Sequence, residues 1–171
     1  MKSFIEQAHF YASYHQNNIT RNTHMAGVPL IILSLMILLG FVKISVPGVF
    51  NSSLACFATL GVLIYYFRLN WQLALVLTPV MLILLWIAHW FSADGPTAFG
   101  VWTFVITFIV GWGLQLYGHY VEGNKPAFMD NVCQALIAPL YLTAEVIFMA
   151  GYMSGLQAQI HGAPEAGKDK I

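Results

Sequence analysis

Apolar residues run through this chain in long blocks, and polar residues are confined to the seams between them. Five blocks stand out, at roughly residues 28–46, 53–69, 73–91, 99–118 and 131–153. Each approaches the ~17–25 residues that a helix needs to cross the hydrocarbon core of a bilayer. The start of the chain reads differently. Phe4, Ala8, Tyr11 and His15 recur at spacings of three and four, with Gln7 among the polar positions between them. That is the pattern of a short amphipathic helix lying at a membrane surface. Asn17-Asn18-Ile19-Thr20 interrupts it, and Thr20 is the expected N-cap of the first spanning helix. Pro29 falls near that helix's start, where a missing backbone donor costs little.

The seams carry turn chemistry. Lys43, Pro47 and Gly48 mark the first, and Arg68, Asn70 and Gln72 a very tight second. Ser92-Ala93-Asp94-Gly95-Pro96 and Glu122-Gly123-Asn124-Lys125-Pro126 mark two more. The pattern predicts an all-α fold: a polytopic membrane helix bundle of about five transmembrane helices with a short N-terminal interfacial helix. Residues 1–156 are expected to form one membrane-embedded domain and residues 157–171 a flexible C-terminal tail.

Composition strengthens the membrane reading. Hydrophobic residues make up 58% of the chain and charged residues 8%, against about 25% charged in a soluble domain. The formal net charge is zero, with no run of Lys or Arg, which excludes an electrostatic nucleic-acid footprint. Cys56 and Cys133 sit alone in apolar stretches and read as packing residues, neither a disulfide framework nor a thiolate metal site. A basic segment directly before an apolar core is missing near the start, so the first apolar helix is expected to stay in the mature chain. With the N-terminus inside, Lys2, Arg21, Arg68 and Lys125 are cytoplasmic against Lys43, Lys168 and Lys170 outside. The expected location is the bacterial inner membrane.

Histidine is where the remaining polarity concentrates, at positions 9, 15, 24, 89, 119 and 161. Four crossings between residues 28 and 118 return the chain to its starting side, so His15, His24 and His119 face the same side of the bilayer. His89 falls on the other side, beside Trp86 and Trp90 in an aromatic belt. His9 lies off the face of the surface helix and His161 in the tail. On one unbroken helix His15 and His24 would stand about 180° apart, so they converge only if the chain turns at Asn17 to Thr20. Trp112, Gln115, His119 and Glu122 share one helix face, and His-x-x-Glu can aim an imidazole and a carboxylate at one ion. The competing reading is an interfacial cluster bonded to headgroups.

Glu145 lies inside the last apolar stretch, where an ionisable residue costs about 2.5–3.5 kcal/mol on insertion scales. It is expected to orient a ligand histidine, bind a polar substrate group, or be protonated. Gln115 and Asn22 suit hydrogen bonding to a substrate or ligand, or tying helices together. Imidazoles with a carboxylate and no thiolate suit Fe(II), Zn(II) or Mn(II). Two His and one carboxylate is the pattern of non-haem iron oxygenases, and zinc hydrolases use similar ligands. Ligand type leaves the two open, with haem a third possibility.

Tyr14-His15, His24-Met25-Ala26-Gly27-Val28-Pro29, Gly111-Trp112, Gln115, Gly118-His119, Glu122-Gly123, Pro126-Ala127, Pro139 and Glu145 resemble the 2-hydroxy fatty acid dioxygenase family. These are small multi-helix membrane proteins, and a fungal member acts in phytosphingosine breakdown. The resemblance implies Fe(2+)-dependent, O2-consuming α-oxidation of a long-chain 2-hydroxy fatty acid to a fatty acid one carbon shorter. It implies His15, His24 and His119 as iron ligands; beside them the residues themselves suggest Glu122 as a further ligand or base, and Gln115, Glu145 and Asn22 as groups that support the ligands or bind the substrate. Asn17-Asn18-Ile19-Thr20 departs from the family's Asn-Pro-x-Asn. The rival readings are a zinc-dependent lipid hydrolase and a non-enzymatic scaffold or transporter. Oligomeric state leaves no mark on the sequence.

Overall fold

The computed structural model describes residues 3–15, 17–123 and 133–162. Among these the chain forms seven helices and one small hairpin, so the all-α class holds. Helix α1 (Phe4–Ala12) opens on a capping box: the Glu6 N–H donates to Ser3 Oγ at 3.2 Å and the Ser3 N–H to Glu6 Oε2 at 2.9 Å. Helix α2 (Asn18–Gly40) starts earlier than expected, because Asn17 is its N-cap and takes the Ile19 N–H at 2.8 Å. Asn ranks above Thr as an N-cap, and Thr20 instead turns inward and donates to the Gly118 carbonyl at 2.9 Å.

The first seam is a hairpin of β1 (Lys43–Val46) and β2 (Phe50–Ser53), with Val46 opposite Phe50 and Gly48 at φ 76° in the turn. Lys43 Nζ reaches across to the Ser92 carbonyl at 2.8 Å and so caps the end of the helix that closes at Ser92. Helices α3 (Leu54–Leu69) and α4 (Trp71–Ser92) are separated by Asn70 alone. Its Oδ1 takes the Leu73 N–H at 3.1 Å, which lets one residue serve as both turn and cap. Helix α5 (Ala98–Glu122) starts at the Thr97 cap and stops at Gly123, whose φ of 74° lets its N–H fold back to the His119 carbonyl at 3.0 Å. Helices α6 (Cys133–Met149) and α7 (Ser154–His161) follow.

Among the described residues three helices are long and apolar enough to cross a membrane: α2, α4 and α5, with 23, 22 and 25 residues and mean hydropathies of 2.0, 2.1 and 1.6 over an 18-residue stretch of each. The other two apolar blocks form α3 and α6, of 16 and 17 residues, at the short edge of the ~17–25 range. Apolar side chains fill the core and also cover much of the outside, while a set of polar groups is buried. Leu60, Leu75, Ile83, Trp86, Ile106 and Ile109 are each more than half exposed, while Thr20, His24, Ser34, Gln115, His119 and Glu145 are buried. Such a surface is stable against lipid tails and unstable against water.

Helix α2 is central, packed against α3, α4, α5 and α6. Up-and-down passage through α2, α3, α4 and α5 returns the chain to the end where it began, next to α1. The helix α7 includes the start of the segment expected to be a tail. It packs on α1 through the fully buried Ile160, whose carbonyl takes a hydrogen bond from His9 Nδ1 at 2.8 Å. The fold therefore runs past residue 157; residues 163–171, and the rest of the break after Gly123, lie outside the described residues.

Candidate metal centre

Helices α2 and α5 approach closely because glycine faces glycine. A Cβ on Gly27 would stand 2.9 Å from the Gly111 carbonyl, and one on Gly118 would stand 2.5 Å from Thr23 Oγ1 and 3.2 Å from the His24 ring. Small residues at such a crossing let two backbones meet without side chains between them. His24, in the second turn of α2, and His119, in the last turn of α5, are thereby brought together with their Nε2 atoms 3.2 Å apart. His15 arrives from the segment after α1. Its Nδ1 donates to the Tyr11 carbonyl at 2.8 Å and its ring stacks on Tyr11 at 4.0 Å, with Tyr11 itself held by Tyr141 at 4.8 Å.

The three imidazoles meet edge to face, with centroids 4.6, 5.0 and 4.8 Å apart for the pairs 15–24, 15–119 and 24–119. One candidate ligand nitrogen from each lies within 4.8 Å of the other two. Metal–imidazole bonds of about 2.0–2.1 Å place adjacent ligand nitrogens about 3.0–3.4 Å apart, the separation that His24 and His119 already hold. His15 Nε2 is buried and has no hydrogen-bond partner. Its Nδ1 carries the proton given to Tyr11, so Nε2 presents a lone pair. Burial pushes the His15 pKa down to about 4, against the opposing pull of the Tyr11 carbonyl. The ring is therefore neutral, the form that binds metals, at physiological pH. The donor set fits a divalent transition metal.

Two cavities flank the triad. An apolar one of about 300 Å³ is lined by His15, His24 and His119 and then by α2 as far as Leu39. From His24 to Leu39 the helix rises about 22 Å, at about 1.5 Å per residue. Ala55, Ala58, Thr59 and Val62 of α3 form a facing wall. Leu35 and Leu136 also line it yet are 43% and 47% exposed, so the cavity is open along its flank. The second, polar cavity of about 560 Å³ is lined by His9, Asn17, Arg21, Glu145 and His161, and His15 forms part of its wall too.

The sequence that builds this cluster and groove matches a known family. Residues 1–150 match the family described as 2-hydroxy-palmitic acid dioxygenase Mpo1-like. The chain belongs to this family. No curated protein and no solved structure matches it.

The remaining candidate residues of this Mpo1-like chain fall in different places. Gln115 is buried, lines the apolar groove and stands one turn below His119. Glu122 is half-buried and one of its oxygens takes the Asn17 N–H at 3.0 Å, tying the end of α5 to the start of α2. Among the described residues the metal-competent group consists of the three histidines, without Glu122. Glu145 is buried and meets His161 Nε2 at 2.6 Å and Arg21 at 3.8 Å. The Tyr141 side chain also hydrogen-bonds it, and among the described residues no histidine of the triad is a partner of Glu145. Asn22 is exposed, turned about 200° from His24 on α2, and does not join the site. His89 is exposed near the opposite end of the bundle, next to the stacked pair Trp86 and Trp90.

Sequence reasoning missed two residues. His161, assigned to the tail, is the closest polar partner of Glu145. Gln134 is 3% exposed and lines the apolar groove, and its Oε1 has no hydrogen-bond partner among the described residues. The signal for Gln134 was the same as for Glu145: an isolated polar residue within the last apolar block.

Proposed function

We propose that this protein is a non-haem Fe(II) dioxygenase of the membrane, acting on long-chain 2-hydroxy fatty acids. The overall conversion balances as 2-hydroxy acid plus O2 giving the fatty acid one carbon shorter, CO2 and water. The observation that carries this reading is the convergence of three buried imidazoles at one end of an apolar groove about 22 Å long. One leaflet of a bilayer is roughly 15 Å of hydrocarbon, so a whole acyl chain can lie along the groove with its polar head at the histidines. The family's name supplies the substrate class. Iron(II) held by His15, His24 and His119 would supply O2 activation, with coordination positions left open for substrate.

The protein's own groups then have separable tasks. Tyr11 fixes the His15 tautomer and ring plane through its carbonyl and its stacked ring. Glu122 holds the start of α2 against the end of α5, which sets His24 relative to His119. Gln115 offers an amide to the substrate head in an otherwise apolar wall. The open flank admits an amphiphile sideways from lipid, and the polar cavity behind His15 gives water and released polar product a route away from the groove. We place the site at the cytoplasmic face of the membrane, following the distribution of basic residues, with the bacterial inner membrane as the proposed location.

One observation favours a second reading. The triad contains histidines without a carboxylate among the described residues, and three His with an open position is the ligand set of zinc sites that activate water. A zinc-dependent lipid hydrolase is the alternative. Anaerobic purification, metal quantification and addition of 2-hydroxypalmitate with and without O2 separate the two. Bound iron and O2-dependent formation of the shortened acid are expected. Bound zinc, no shortened acid, and O2-independent cleavage of a fatty acyl ester or amide offered in parallel would replace the dioxygenase reading with the hydrolase.

A further inference from the structure

We propose that Met36 sets the length of the acyl chain that the groove accepts, a proposal that rests on reading the groove as an acyl site. The end of the groove remote from the histidines is formed by Met36 and Leu39 of α2 and Ala55 of α3. Met36 and Ala55 are 5% and 2% exposed, so both are packed interior groups. The same two side chains line a separate cavity of about 240 Å³, whose other walls include Cys56, Leu85 and His89. Met36 and Ala55 are therefore the partition between two voids, and space continues beyond them.

The physics of a lipid-facing groove makes that partition the selective element. Lipid tails are as apolar as the groove wall, so a methylene moving from bilayer to groove gains little. What the protein can do is refuse carbons that run past the end, because forcing them in overpacks the wall at a cost that reads as about fivefold or more in affinity. Ala55 has almost nothing to truncate. Met36 is unbranched and flexible, and replacing it by alanine removes three heavy atoms and joins the two cavities. Ala58 lies one turn nearer the histidines on the facing wall, where a large side chain would cut the groove short.

The test uses the purified full chain in phospholipid nanodiscs, without O2, offered an equimolar ladder of straight-chain saturated 2-hydroxy acids and a matching ladder of unsubstituted acids. Bound chains are identified by mass spectrometry. The wild type is expected to show a length cutoff. Met36→Ala should move the cutoff longer by about three carbons, one for each heavy atom removed, and Ala58→Phe should move it shorter. Met36→Leu, of similar volume, should keep both the cutoff and the melting temperature. Shifts of opposite sign cannot come from general loosening of the fold. If both Met36→Ala and Ala58→Phe keep the wild-type length profile, the proposal is wrong, even where wild-type protein shortens 2-hydroxypalmitate. If the cutoffs move as expected in both ladders and no shortened acid forms under O2, the length gauge stands and the dioxygenase reading falls.

Discussion

A buried polar atom without a hydrogen-bond partner costs about 1–3 kcal/mol, and His15 Nε2 carries that cost where two other imidazoles meet. A bound metal ion would remove it. Substituting His15, His24 or His119 by Ala is expected to weaken metal binding more than about a hundredfold, beyond the 10–100-fold typical of outer-shell changes. Metal content after dialysis against a graded chelator series measures this. Glu122 behaves differently if its task is to hold Asn17. Glu122→Gln keeps an oxygen for the Asn17 N–H and should retain metal and melting temperature, whereas Glu122→Ala should lose about 1–3 kcal/mol of stability. Loss of metal in Glu122→Gln would make the carboxylate a ligand after all. Gln134→Met removes an unpaired buried acceptor for a side chain of similar size, so the variant should melt at or above the wild-type temperature.

These residues were unequally legible in the chain. His15, His24 and His119 follow from counting crossings, because parity is a topological property that survives errors in helix boundaries. Glu122 shares a helix face with His119, but it lies in the final turn, where the chain is leaving the helix and its carboxylate reaches Asn17. Spacing along a helix predicts a shared direction and says nothing about which neighbour arrives first. Glu145 announced that it needed a partner. Finding His161 required knowing that α7 folds back on α1, and finding Arg21 that α2 packs against α6.

At the scale of elements, the α2–α5 contact decides whether the site exists. Gly118→Ala would place a methyl group 2.5 Å from Thr23 Oγ1 and 3.2 Å from the His24 ring, and α2 must move to receive it. The expected result is weaker metal binding than wild type with helical content kept, measured by chelator competition and far-ultraviolet circular dichroism on the same sample. Wild-type metal affinity in this variant would show that the helix spacing is not limiting. The long helices were readable because apolar blocks and Asn, Gly and Pro seams bound them. The hairpin of β1 and β2 was not, since four-residue strands are too short for alternation to register. Helix α7 was hidden for a related reason: only Ile160 is buried along it, and Leu156, Ala158 and Ile160 alternate at a spacing of two that shows no helical period.

For the molecule as a whole, the arrangement separates oil from water around one cluster. Exposed apolar side chains of α3, α4 and α5 surround an apolar core that holds the groove, and α1, α2, α6 and α7 enclose the polar cavity at the histidine end. His15 is a wall of both cavities. A substrate reaching the centre through the flank of the groove is therefore counted per unit of membrane, not per litre of solution. Kinetics should show surface dilution: adding inert detergent or lipid at constant bulk substrate lowers the rate in proportion to mole fraction, while diluting the whole suspension at constant mole fraction leaves turnover per protein unchanged. A rate that followed bulk concentration would mean that the acid enters through the aqueous side. For a catalyst built this way, the composition of the bilayer is itself the substrate concentration.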